Sequence, residues 1–107
     1  MLSFARASIV RVRYPVDEVG EHDFAATPDE VSIPRCSVQP GASIEVLDGG
    51  ERVRVSWVVY APLDSDVLAR DFVRVSGQLC RVVGEPESWN SGLRVDHKAI
   101  YLERWEG

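Results

Sequence analysis

Lysine is nearly missing from this 107-residue chain: Lys98 stands alone beside eleven arginines. Cysteine and histidine are almost as scarce, with Cys36, Cys80, His22 and His97 the only examples. Two cysteines so far apart make no disulfide scaffold, and no CxxC pair is available for zinc or redox work. They read as reduced, buried thiols, although the sequence leaves a single pairing open. Glycine-rich phosphate loops, GxSxG and HExxH are all missing, so neither catalysis nor a cofactor or metal is expected. No apolar run approaches the roughly 20 residues of a membrane-spanning helix. Residues 1–12 carry Arg6 and Arg11 within their apolar stretch and contain no cleavage site, so no signal peptide is read there. Basic charge is also short: twelve basic against seventeen acidic residues leave a net charge of −5. That balance argues against a general nucleic-acid binder, whose affinity comes from basic groups on phosphates.

What the chain does have is alternation with period two. In residues 8–14, Val10, Val12 and Tyr14 share one face, while Ile9, Arg11 and Arg13 share the other. Pro15 closes this half-buried strand pattern. A short strand is expected at 43–47, turning at Asp48-Gly49-Gly50 into a long one over 52–60. That long strand would place Val53, Val55, Trp57 and Val59 on one face. Residues 72–75 and 79–83 flank Ser76-Gly77-Gln78 as a second hairpin, and 98–105 form the last strand. No stretch repeats with helical period; 64–71 reads as a loop or a single turn. The expected fold is all-β, a single-domain antiparallel barrel or sandwich of about six strands. Two long loops, at about 15–34 and 85–97, interrupt it.

The first loop is acidic. Asp17, Glu18, Glu21, Asp23, Asp29 and Glu30 fall there, with no Lys or Arg before Arg35. It reads either as a solvated face or as a surface that lets DNA slide past without sticking, because carboxylates repel phosphates. The second loop carries Trp89, which is either an exposed interface anchor or a cap over the barrel end. Trp57 is expected in the core, and Trp105 on an edge or against a neighbouring subunit. Asp64-Ser65-Asp66 lacks the rest of a calcium loop and reads as a solvated turn. His97 beside Asp96 reads as a surface pair, with no nucleophile at a fitting spacing.

Four segments occur in a telling order. They are Val59-Tyr60-Ala61-Pro62, Asp71-Phe72-Val73-Arg74-Val75-Ser76-Gly77, Val82-Val83-Gly84-Glu85-Pro86-Glu87-Ser88-Trp89, and Ile100-Tyr101-Leu102-Glu103-Arg104-Trp105-Glu106-Gly107. Over residues 52–107 this resembles the head-to-tail stopper, or head-completion, proteins of long-tailed bacteriophages, in particular those infecting actinobacteria. Cys36-Ser37-Val38-Gln39-Pro40-Gly41 and Glu45 extend the likeness more loosely into the first half. The preference for arginine over lysine suits a GC-rich genome. Such proteins often continue from Gly-x-Pro-x-x-Trp into a Pro-Phe-Thr-Gly loop, where this chain has Asn90-Ser91-Gly92-Leu93-Arg94.

The resemblance implies a structural, non-enzymatic barrel subunit in a ring of twelve in the virion neck, made in the host cytoplasm. Its partners would be other copies of itself, the portal and adaptor on one side, and the tail terminator or tail tube on the other. It would close the channel, let double-stranded DNA pass without sequence-specific binding, and need no membrane. The 15–34 loop is then the candidate channel loop. Trp89, Arg94, Lys98, Arg104 and Trp105 are the candidate contacts between subunits or with the tail. An adaptor or tail-terminator ring is the nearest alternative. An oligonucleotide-binding barrel, with Arg52, Arg54 and Tyr60 as its binding face, is a more distant one.

Overall fold

β1 (Ala7–Arg13) is the strand around which the molecule is organised. A computed structural model describes residues 7–41, 44–89 and 96–106. Within them β1 pairs on one side with β2 (Asp29–Pro40) and on the other with β6 (Phe72–Val75). β3 (Glu45–Asp48) and β4 (Glu51–Arg54) form a separate hairpin. β5 (Trp57–Ala61), β7 (Gln78–Val82), β8 (Glu87–Trp89) and β9 (His97–Arg104) complete the set, and no helix occurs among the described residues. The order β5-β2-β1-β6-β7-β9 closes on itself because β5 also pairs with β9, and every pairing is antiparallel. The result is a closed six-stranded barrel, with β8 added beside the N-terminal half of β9. Closure removes the open edges that make an isolated sheet prone to aggregation.

The turn residues explain the connections. Ser76 and Gly77 both have positive φ, 49° and 83°. That is the twist a two-residue hairpin needs to follow the right-handed strands, and Gly77 adopts it without strain. β2 is long enough to serve two partners, pairing with β1 over its first part and with β5 over Ser37–Pro40. It bends between them at a bulge, where the register shifts and Arg35 takes φ 59°. Bulges of this kind turn barrel corners, and they tolerate Pro34 because the ladder is already interrupted.

Three expected boundaries are corrected. The single strand over 52–60 is two strands in two sheets. At the break, Val55 N donates to Ile44 O (3.1 Å) while Ser56 N donates to Leu102 O (2.7 Å), so the chain leaves the hairpin and enters the barrel within two residues. Gly41 passes so close here that a Cβ would lie 2.1 Å from Val55 O. The loop expected over 15–34 ends at residue 28, because β2 begins at Asp29. The loop expected over 85–97 contains β8 and gives way to β9 at His97; residues 90–95, including the Asn90–Arg94 departure, lie outside the described residues.

Both faces of β1 are covered. Ile9 points into the barrel interior with Val59, Val73, Val82, Ile100 and Leu102. Val12, on the opposite face, is fully buried beneath an outer aromatic layer described below. Cys36 and Cys80 sit in the interior cluster as free, fully buried thiols, and burial pushes each up to about 11. Trp57 is packed against that cluster, and half-buried rather than enclosed.

Candidate functional site

The acidic segment 15–28 is a structured strap. Asp17 N donates to Glu21 O (2.9 Å), Gly20 N donates to Asp17 O (3.1 Å), and Val16 bridges to His22. One carboxylate oxygen of Asp17 accepts from Val19 N and Glu21 N, the usual way an Asp closes a turn on its own backbone. Asp23 repeats the device with Ala25 N (3.1 Å). The tip is left with Val19 79% exposed, flanked by Asp17, Glu18 and Glu21.

Behind the tip the strap is stapled to the barrel wall. Phe24 meets Tyr14 edge-on at 4.9 Å, Phe72 at 5.6 Å and Trp105 in a stack at 6.0 Å. His22 packs edge-on to Phe72 (5.4 Å), and its Nε2 donates to Arg70 O (2.8 Å). Offset and edge-to-face ring pairs of this kind each add about 0.5–1.5 kcal/mol beyond the area they bury. This layer buries Val12 and Phe72.

The expectation that no base lies near the six acids fails for two of them. Because β2 pairs with β1, Asp29 reaches Arg11 (2.5 Å), and Glu30 pairs with Arg74 on β6 (3.2 Å). Asp17, Glu18, Glu21 and Asp23 have no cation partner among the described residues, so the uncompensated charge is confined to 17–23.

The remaining candidate positions are scattered. Trp89, 56% exposed on β8, stacks on His97 (6.2 Å), which also makes an edge-on contact with Tyr60 (5.1 Å). The Lys98 ammonium donates to Ser65 O (2.6 Å), which commits it within the chain. Arg104 is exposed at the end of β9. Trp105, half-buried, belongs to the aromatic layer over Phe72 (5.2 Å) and so joins the C-terminal end to the acidic strap. Arg94 lies outside the described residues.

A charged network that sequence reasoning missed closes one end of the barrel interior. The inward face of β1 continues from Ile9 to Arg11 and Arg13. Arg11 donates to Asp66 (3.0 Å), and Arg13 grips Asp71 through Nε and Nη2, both at 2.8 Å. Asp71 is buried and also accepts from Leu68 N (2.8 Å), so it fixes the 62–71 loop across the barrel mouth. Paired mainly with Asp71, Arg13 is held protonated beyond its ordinary range, while Arg13 lowers the Asp66 carboxyl. Asp66 therefore serves an arginine network and is not part of a freely solvated Asp64-Ser65-Asp66 turn. No group of three metal-ligating side chains occurs among the described residues. The one clue in the sequence was the alternation Ile9-x-Arg11-x-Arg13, which named the face but not the aspartates it would meet.

Compared with known proteins, the chain matches no family model and no curated protein.

Proposed function

We propose that the chain is a ring-forming structural subunit of a phage neck, a head-to-tail stopper that closes the DNA channel and receives the tail. The observation that carries the reading is the strap. It concentrates four uncompensated acids, Asp17, Glu18, Glu21 and Asp23, on a turn stapled to the wall of a closed barrel. Repeated around a ring, that turn makes a fixed negative collar, which repels phosphates and lets a duplex pass without the contacts that would stall it. The ordered likeness over residues 52–107 supports the same reading, and so does the lack of a catalytic constellation in the sequence.

The test has two parts. Purified particles are analysed by mass spectrometry and neck imaging, and the chain is expected there as a ring; its absence from particles overturns the reading. Particles are then assembled with residues 17–21 replaced by a two-residue turn, which leaves the aromatic staple in place. Filled heads are expected to lose DNA or fail to join tails. Normal retention and joining would remove the strap from the mechanism.

A further inference from the structure

The outer face of the β3–β4 hairpin is the chemical counterpart of the strap tip. Cross-strand register pairs Glu45 with Arg54 and Leu47 with Arg52, and these four residues form the exposed face. The other face, with Val46 and Val53 half-buried, is turned toward the barrel, where Asp48 is tied to Arg81 (2.7 Å). Leu47 is 67% exposed. Around it, Arg52 has only a loose approach to Glu45 at 3.9 Å, and Arg54 has no ion pair among the described residues. Elsewhere Arg11, Arg13, Arg74 and Arg81 all meet carboxylates at 3.2 Å or less. The chain thus presents an exposed apolar side chain beside two arginines, one loosely paired and one with no ion pair among the described residues, and, on the strap, an exposed apolar side chain beside acids with no cation partner among the described residues.

We infer that the hairpin face of one copy receives the strap tip of a second copy, with Val19 against Leu47 and Glu18 and Glu21 against Arg52 and Arg54. Such a contact is heterologous, the head-to-tail type that closes into a ring when the rotation per subunit allows it. It rests on the neck reading and amends it: once Glu18 and Glu21 are paired in the ring, Asp17 and Asp23 are the strap acids left to form the negative collar. The two patches are small and their charges solvated, so the contact is weak in isolation and weakens further with salt.

Charge reversal tests it on the full chain. Sedimentation at about 1 mM protein and low ionic strength, where pairs are least screened, is expected to show self-association of the wild type. Glu18→Arg/Glu21→Arg sets arginines against Arg52 and Arg54 with Asp17 and Asp23 unchanged, and Arg52→Glu/Arg54→Glu sets carboxylates against Glu18 and Glu21. Each variant alone is expected to associate at least about tenfold more weakly, and an equimolar mixture is expected to recover association. A wild type that stays monomeric, variants that associate as it does, or a mixture that stays monomeric would each overturn the contact.

A cross-linking arm covers a variant that fails to fold. Because the native thiols are buried, Val19→Cys mixed in equal amount with Leu47→Cys is expected to give hetero-disulfides well beyond the excess over either homodimer that random pairing produces; a statistical distribution overturns the contact. The two readings fail separately: a chain found in particles whose mixtures stay monomeric keeps the neck role and loses this interface. A chain absent from particles whose mixtures associate keeps the interface and loses the neck.

Discussion

The barrel mouth and the strap tip use the same charged residue types to opposite ends. At the mouth, Asp66 and Asp71 meet Arg11 and Arg13 across β1, and their charge is consumed in holding the 62–71 loop. At the tip, four acids within seven residues meet no cation among the described residues, and the two aspartates are bound only by their own backbone. The mouth is a structural lock. The tip is charge held in place for something outside the chain. Counting acids along the sequence merged the two kinds, because Asp29 and Glu30 stand next to the strap yet belong to β2 and its arginines.

The sharpest way to break the comparison is Asp71→Ala. It removes a carboxylate with almost no solvent access, leaving Leu68 N without an acceptor and Arg13 with Asp66 as its remaining partner. Breaking a buried ion pair is strongly destabilising, and because Asp66 still partly compensates Arg13 a loss of about 2–4 kcal/mol is expected in chemical denaturation. A loss under about 0.5 kcal/mol, the range of ordinary surface changes, would show that the mouth is no lock. Phe24→Ala is next. Phe24 is half exposed but touches Tyr14, Phe72 and Trp105, so about 1–2 kcal/mol is expected from lost area and ring contacts. Faster amide exchange is expected over 15–28 and at Val12, with the 62–71 loop unchanged. Exchange that quickens equally at both regions would mean the two are coupled.

The regular parts were readable because their signals are local. Period-two alternation marks β1 and β9 to within a residue, and Asp48-Gly49-Gly50 and Ser76-Gly77 mark their hairpins by residues that accept positive φ. The break between β4 and β5 was hidden because Val53, Val55, Trp57 and Val59 alternate straight through it. Only the change of partner from Ile44 to Leu102 reveals it. β2 was not read at all: Asp29, Glu30 and Pro34 disguise its start, residues poor in strands that are tolerated here by the arginines on β1 and β6 and by the bulge at Arg35. The strap's acids were visible, but its staple was not. Phe24 is a lone aromatic in a polar stretch, and its partners Phe72 and Trp105 lie far along the chain.

The smallest expected effect separates mouth from tip by pH. Arg13 first, then the nearby charges of Arg11 and Lys98, lower the Asp66 carboxyl below its ordinary value of 3.8. A carboxyl lowered in the folded state adds stability that is fully present above its unfolded value. That stability is lost as pH falls from there through the folded value. Asp66 is 67% exposed at its side chain, so solvent screens the pairing and the contribution is modest. Asp66→Asn is therefore expected to flatten the acid limb of the stability curve below about pH 4 while leaving it unchanged near neutrality beyond a small constant offset. The measurement is the denaturation midpoint of wild type and variant from neutral pH downward. Parallel curves to the lowest pH would show that Asp66 is as idle as a surface acid, and the lock would then rest on Asp71 alone.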